Sequence, residues 1–273
     1  ARLAVEEINA RGGIAGRKIL LLVENDHGTV EGAQRALQNL AHQRAVAVIG
    51  HILSTQCLEV LPLLEKLGMV LFSPVASSPL LSGRKDFFFR MRPDEEQPAR
   101  LLARFALAVG CRRFATVYDA HNPIYAQAWV RSFAASLTTL GGHVQSQDAL
   151  RDRDAKTFIE LAGKIASQDP DGVLIAASAS DTAQLVRALV ALKSTARLYG
   201  VGWAQTDRLM TEGGSAVERL VLASNDPPLD QVASAREFVQ RYRKRYGLEP
   251  SFAAARGYDS VRVLAQALEK TGG

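Results

Sequence analysis

The sequence of 273 residues contains only two cysteines and no long apolar run. No window of eighteen consecutive apolar residues occurs, so no membrane-spanning helix is predicted. A basic start followed by an apolar core and a cleavage site, the pattern of an export signal, is also missing. Residue 1 already lies inside a helical pattern, so we expect a natural N-terminus upstream.

The scarce metal-binding residues argue against a metal centre. Cys57 and Cys111 lie far apart and outside any CxxC spacing, which gives no support to a zinc site or a disulfide framework. Two buried free thiols are the simpler interpretation, and a single disulfide stays open. The five histidines show no HxxxH or HExxH spacing, so we expect neither a metal nor another cofactor.

Common catalytic motifs are absent as well. Neither a GxSxG elbow nor a GxxxxGK[ST] loop occurs, and the glycines of residues 12–16 follow a helix, which indicates a turn and not a dinucleotide loop. The sequence therefore favours a binding protein over an enzyme. An enzyme that uses His51 together with Ser54 is kept as an alternative.

Positive charge exceeds negative charge only slightly. The net charge is +5, from 33 Lys and Arg against 28 Asp and Glu, and the basic residues are spread along the chain. The densest cluster, residues 241–246, falls on a helical pattern whose charges are expected to face solvent. Because no recognition module accompanies it, we expect no nucleic-acid partner.

Apolar runs and helical patterns alternate along the whole chain, which predicts an α/β fold with parallel sheets covered by helices. The predicted strands are residues 18–24, 45–50, 69–72, 114–118, 143–149, 172–177, 198–201 and 220–223. The predicted helices between them are residues 30–43, 54–67, 95–109, 126–140, 155–167, 182–192 and 207–213.

Two segments rich in proline and polar residues, 90–93 and 224–228, suit crossings between two lobes. We assign lobe one to residues 1–90 and 224–273, and lobe two to residues 91–223. Two doubly wound lobes of ordinary size agree with the length of the chain.

Ligands of open parallel sheets bind beyond the carboxyl ends of the strands, so the loops after the strands are the candidate sites. His51, Ser54 and Thr55 follow one strand, where the hydroxyls and the start of a helix suit a carboxylate. Ser54 could instead simply cap that helix, and His51 could support the loop.

Three further loops carry candidate ligand residues. Val75, Ala76 and Ser77 lie in a loop held extended by two prolines. In lobe two, Tyr125 and the pair Trp203 and Ala204 follow strands, and aromatic walls with a few polar groups are typical of small-ligand pockets. Simple packing explains these aromatics about equally well.

Several stretches resemble one known family. The first helix and turn, residues 3–18, the stretches 48–51, 72–79, 89–91 and 117–119, and the runs 245–251 and 257–260 are similar to the leucine/isoleucine/valine-binding proteins of branched-chain amino-acid ABC importers. The resemblance implies a type I periplasmic binding fold whose two lobes close on a small ligand in the cleft between them. It also implies a periplasmic or lipid-anchored, monomeric protein that delivers its ligand to a membrane permease.

The same resemblance assigns roles to individual residues. Ser54, Thr55, Ala76 and Ser77 match positions that grip the carboxylate and amine of the ligand, and Tyr125 matches an aromatic that closes over it. Two positions depart from the family. No acid stands near Trp203 to neutralise an ammonium group, and Ser178, which we also predict to be a ligand contact, stands where an aromatic is common in amino-acid-binding relatives.

These departures leave the ligand open between an amino acid and an organic or aromatic acid, because a buried ammonium needs a partner. The resemblance also implies that the family's first strand, which is central to its sheet, and its C-terminal portion are absent from this sequence. A ligand-sensing domain of a receptor is a further alternative, since the same fold serves receptors.

Overall fold

The computed structural model describes residues 1–227 and 229–271. They form two compact units: unit 1 comprises Ala1–Ser77, Leu81–Pro93 and Pro227–Gly273, and unit 2 comprises Ser78–Leu80 and Asp94–Asp226. The predicted crossings at residues 90–93 and 224–228 lie near these boundaries. No helix within the described ranges is long and apolar enough to cross a membrane.

Unit 1 is built on a small parallel sheet. Its strands are β1 (Ala47–Ile49), β2 (Val70–Ser73) and β3 (Phe88–Arg90), in the order β1-β2-β3. Its helices are α1 (Arg2–Ala10), α2 (Val30–His42), α3 (Ser54–Glu59), α4 (Leu61–Leu67), α10 (Arg236–Tyr246) and α11 (Phe252–Thr271). Leu71 on the central strand is fully buried, and its apolar cluster includes Leu37 and Leu64.

Two predictions for unit 1 are wrong. Residues 18–24 do not form a strand, since no described strand pairs with them, and Leu20 is 80% exposed. The predicted helix over residues 54–67 is two helices that meet at Val60, where Pro62 supplies no backbone N–H to continue the first helix. Helix α11 was not predicted.

Unit 2 contains a five-stranded parallel sheet in the order β5-β4-β6-β7-β8. These strands are β4 (Arg113–Asp119), β5 (His143–Leu150), β6 (Gly172–Ala176), β7 (Arg197–Val201) and β8 (Val221–Ala223). Its helices are α5 (Glu96–Ala108), α6 (Pro123–Thr139), α7 (Ala155–Ser167), α8 (Ala179–Ala191) and α9 (Asp207–Gly213). Every residue of β6 is buried, as its continuous apolar run predicts.

Helices cover both faces of this sheet, so unit 2 has two apolar clusters. Residues of α5 and α6 pack on one face, and residues of α7, α8 and α9 pack on the other. Chain order reverses between neighbouring strands β4 and β6, because β4 leads through α6 to β5 whereas β6 leads through α8 to β7. Such a reversal opens a crevice at the carboxyl ends of the two strands, which is where open α/β sheets bind ligands.

Asp171 ties the beginnings of β4 and β6 together. Its carboxylate accepts hydrogen bonds from the backbone N–H groups of Arg112, at 2.9 Å, and Arg113, at 2.8 Å, and from the Arg113 guanidinium at 3.0 Å. Burial opposes ionisation of this carboxyl, but the hydrogen bonds outweigh burial and hold the pKa of Asp171 below its usual range.

A lowered folded-state pKa means that Asp171 stabilises the fold above its unfolded pKa of about 3.9. This contribution is lost as the pH falls through the folded pKa. We therefore expect Asp171→Asn to melt below the wild type at pH 7, and the difference to shrink below about pH 4. Melting curves between pH 7 and 3 check this, with the exposed Asp152→Asn as control. A constant difference at all pH values would contradict it.

Both cysteines are free and buried, Cys57 in unit 1 and Cys111 in unit 2, so the interpretation as two buried thiols is confirmed. Burial raises the pKa of the Cys57 thiol to about 12. The thiol is therefore protonated at neutral pH and does not act as a nucleophile.

Candidate functional site

In unit 1, the loops after β1 and β2 are joined by the side chain of Ser54. Its Oγ accepts a hydrogen bond from the backbone N–H of Ser77 at 3.3 Å, and both residues are buried. The interpretation of Ser54 as a helix cap is wrong, because the capping position of α3 is Leu53, which makes no side-chain hydrogen bond. Ser54 instead fixes the spacing of two loops that the sequence proposes as ligand contacts.

Ser73, at the end of β2, makes a second connection between the same loops. Its hydroxyl donates to the carbonyl of His51 at 2.7 Å and accepts from the N–H of Ala76 at 3.1 Å. A buried hydroxyl that both donates and accepts holds the two backbone segments in one arrangement. His51 and Ala76 therefore have fixed positions before any ligand arrives.

His51 is buried and paired with an acid. Its Nδ1 lies 2.7 Å from Oδ2 of Asp26. The other carboxylate oxygen, Oδ1, accepts a hydrogen bond from the backbone N–H of Gly28 at 3.0 Å. Burial opposes ionisation of Asp26, but these hydrogen bonds and the nearby imidazole outweigh it and lower the pKa of Asp26. The carboxylate orients the ring, which agrees with a supporting role for His51.

The other predicted residues of unit 1 lie on the same two loops. Thr55 is half-buried on the first turn of α3, whereas Val75 and Ala76 are buried directly after β2. The structure thus brings His51, Ser54 and the loop with Ala76 and Ser77 together at the carboxyl edge of the unit 1 sheet.

In unit 2, the two predicted aromatic residues touch each other. Tyr125 lies in the first turn of α6 and Trp203 in the short helical turn after β7, and their rings meet edge to face with centroids 5.7 Å apart. Tyr125 is 5% exposed and Trp203 is half-buried, while the adjacent Ala204 is buried. This arrangement of rings is a favourable one and gives unit 2 an apolar wall.

Ser178 caps helix α8. Its Oγ accepts the N–H of Asp181 at 3.3 Å and donates to Oδ2 of Asp181 at 2.8 Å. The first bond is an ordinary N-cap, and the second orients the hydroxyl of Ser178 toward the aspartate at the third helical position. The hydroxyl of Ser178 therefore already has protein partners at the carboxyl end of β6.

Sequence reasoning missed a charged cluster beside Ser178. The guanidinium of Arg153 donates through Nε to both oxygens of Asp181 at 3.1 Å and through Nη2 to Oδ2 of Asp119 at 3.0 Å. Asp119 ends β4 and lies in one of the stretches that resemble the family, and the S-x-x-D spacing of residues 178–181 is a signal that could have indicated Asp181. Arg153 lies in an irregular loop and gives no local signal.

The two acids are almost completely buried, with side chains 1% and 5% exposed, whereas Arg153 is 44% exposed. The described part of the chain contains no cluster of three His, Cys, Asp or Glu residues that could hold a metal ion. Arg153 is thus the charged group that the unit 2 cluster presents to solvent.

Two α/β units whose strands end in polar and aromatic loops are typical of a class of proteins that bind small molecules. The model of the "Periplasmic binding protein" family matches residues 1–273, and the chain belongs to that family. The family is one of solute-binding proteins, which bind small molecules outside the cytoplasm and work with the permeases of ABC transporters.

Individual relatives agree with this assignment. An "Amino acid binding protein" of Pseudomonas aeruginosa is 27% identical over 278 residues and a "Leu/Ile/Val-binding protein BraC3" of Rhizobium johnstonii is 26% identical over 279 residues; each match covers all of this chain and 73% of the relative. The resemblance inferred from the sequence is confirmed.

Solved structures show the same fold. A substrate-binding protein of Desulfitobacterium hafniense, crystallised with Leu, is 27% identical with a TM-score of 0.77, over 98% of this chain and 78% of that one. LivJ of Streptococcus pneumoniae, crystallised with isoleucine, gives a TM-score of 0.88 at 23% identity, over 98% and 77% of the two chains. The predicted fold class is therefore confirmed.

Proposed function

We propose that this protein is the extracytoplasmic solute-binding component of an ABC importer and that it binds an amino acid or a related small carboxylate without converting it. The observation that carries the proposal is the pair of locked loops in unit 1. Ser54 joins the loop of Ser77, and Ser73 joins those of His51 and Ala76, so hydroxyl and backbone groups are fixed at one sheet edge. Loops that are ordered by their own hydrogen bonds lose less conformational entropy when a small ligand binds to them.

The aromatic pair of unit 2 supports an apolar portion in the proposed ligand. Tyr125 and Trp203 present a wall to which an aliphatic or aromatic side chain can pack. The relatives named above are an amino-acid-binding protein and a Leu/Ile/Val-binding protein, which favours a ligand with an apolar side chain. Periplasmic or lipid-anchored location and a monomeric state complete the proposal.

An amino-acid ligand, unlike an organic acid without an amino group, needs a partner for its α-ammonium group. The four residues proposed as ligand contacts in unit 2, Tyr125, Ser178, Trp203 and Ala204, include no acid. Asp119 and Asp181 are buried and already engaged by Arg153. An ammonium group held there would have to compete with the Arg153 guanidinium for these two carboxylates.

A thermal-shift screen tests the proposal directly. Leucine, valine and phenylalanine are compared with isocaproate, isovalerate and phenylpropanoate, which lack only the amino group. A ligand at a hundredfold excess over its Kd stabilises the native state by about 2.7 kcal/mol, which raises the melting temperature visibly. Stabilisation by the amino acids alone assigns an amino-acid binder, and stabilisation by the acids assigns an organic-acid binder. No shift with any of the six would overturn the proposal.

We expect Tyr125→Ala to weaken binding of the ligand found in this way by roughly 1–3 kcal/mol, because it removes an aromatic wall at the proposed contact. Isothermal titration calorimetry measures the change in Kd. Tyr242→Ala in α10, which removes a half-buried tyrosine packed on Phe238 of unit 1, is the control for lost stability. Equal affinity of Tyr125→Ala and the wild type would remove Tyr125 from the site.

A further inference from the structure

The position of Arg153 is determined by the topology of unit 2. Asp119 ends β4, and Asp181 lies in the first turn of α8, which follows β6. These two strands are neighbours at the point where chain order reverses, so an arginine that bridges the two acids spans the crevice between their carboxyl ends. This is the place in the unit where a ligand is expected.

The guanidinium lies next to a residue already proposed as a ligand contact. Oδ2 of Asp181 accepts hydrogen bonds from both Ser178 Oγ, at 2.8 Å, and Arg153 Nε, at 3.1 Å. Two donors that share one oxygen atom are themselves close neighbours. A ligand that reaches Ser178 therefore also comes within reach of Arg153.

The arginine is held firmly and has donors left over. Both buried carboxylates fix the orientation of its planar group, which reduces the entropy lost when it binds a further acceptor. Nη1 makes no hydrogen bond within the described residues, and the side chain is 44% exposed. Its two N–H groups are thus available to a group outside the protein.

Charge in the cluster sets the kind of acceptor that fits. One guanidinium stands against two carboxylates, so these three groups together carry a net negative charge. Nδ1 of His121 lies 3.1 Å from Oδ1 of Asp119. A second full negative charge on the ligand would be repelled by the two acids, whereas an uncharged oxygen would not.

We propose that Arg153 is a specificity-determining residue and that its Nη1 donates to an uncharged acceptor, a hydroxyl or carbonyl oxygen, at the end of the ligand remote from its carboxylate. This inference rests on the proposed function, since it assumes a small carboxylate ligand. It adds a preference for solutes that carry a polar group beyond an apolar body, such as hydroxylated aromatic acids or tyrosine-like amino acids.

Calorimetric titration with two matched series tests this preference. One series is benzoate, para-hydroxybenzoate and terephthalate, and the other is phenylalanine, tyrosine and para-carboxyphenylalanine. In whichever series binds, we expect the hydroxylated compound to bind about tenfold more tightly than its parent, as for a hydrogen bond to a charged donor, and the dianionic or carboxylated compound to bind more weakly than the parent.

Variants assign the preference to Arg153. Arg153→Met should bind the parent and the hydroxylated compound equally, and Arg153→Lys, which keeps the charge but not the planar group, should retain part of the difference. Arg151→Met, an exposed arginine two residues away without a described hydrogen bond, is the matched control and should behave as the wild type. Arg153→Met leaves two buried acids unpaired, so a melting curve must show that this variant is folded. If Arg153→Met is unfolded, the comparison of Arg153→Lys with the wild type tests the preference.

The outcomes separate this inference from the proposed function. A wild type that binds the parent compounds without preferring the hydroxylated ones overturns the role of Arg153 and leaves the solute-binding function intact. Equal preference in the wild type and in both Arg153 variants also overturns it. A wild type that binds neither these compounds nor those of the thermal-shift screen removes the proposed function and this inference together.

Discussion

Replacing Phe114 with alanine is expected to destabilise unit 2 by about 3–5 kcal/mol, which is the cost of removing a large buried ring. Phe114 is fully buried at the start of β4, and its ring lies 5.0 Å from that of Phe133 and 5.5 Å from that of Tyr199. The three rings pack on one face of the sheet, so the cavity would open in the centre of a cluster. Urea unfolding followed by circular dichroism measures the loss.

The same helix-covered face offers a matched control. Phe105 on α5 is 47% exposed, so Phe105→Ala should change the free energy of unfolding by no more than about 0.5 kcal/mol. The packing is close enough that a Cβ placed on Gly172 of β6 would lie 2.5 Å from Cε1 of Phe114. Similar losses for the two phenylalanine variants would contradict the assignment of this cluster as the core.

The second large effect is expected in unit 1, where Leu71→Ala should cost about 2–5 kcal/mol. Leu71 is fully buried on β2, the central strand, and pairs with Val48 on one side and Phe88 on the other. Differential scanning calorimetry measures the change. Leu248, which is 65% exposed in the same unit, provides the control Leu248→Ala. A loss below about 1 kcal/mol for Leu71→Ala would mean that the three-stranded sheet is not the core of unit 1.

Regular elements with internal periodicity were predictable from the sequence. The helix over residues 155–167 is found with the predicted ends, because Asp154 caps it and its apolar residues recur along one face. The continuous apolar run of β6 similarly predicts a strand buried on both faces. In these segments local preference and tertiary packing favour the same structure.

Elements that depend on distant partners were not predictable in this way. The continuous apolar run of residues 18–24 is typical of a strand, but a strand also needs a neighbour, and no described strand pairs with it. The break at Val60 is a case in which one proline outweighs an otherwise continuous helical pattern. A local sequence pattern alone does not show whether a partner strand is present or whether one proline interrupts a helix.

The candidate site, like the fold, was predictable only in part. The loops after strands were found because topology places them at one edge of each sheet, and their ligand contacts stay predictions. The connection of Ser54 to Ser77 joins residues from two different loops, and Arg153 joins acids from two others. Side-chain contacts of this range leave no periodic trace in a sequence.

Both tryptophans of the chain, Trp129 and Trp203, belong to unit 2. Intrinsic fluorescence excited in the indole band therefore observes that unit selectively, while unit 1 stays spectrally silent. Trp129 is 1% exposed and would report unfolding through a red shift, whereas Trp203 touches Tyr125 and would report an arriving solute through quenching. Trp129→Phe would leave Trp203 as the single fluorescent probe of solute binding. Trp203→Phe would leave Trp129 as the single fluorescent probe of unfolding.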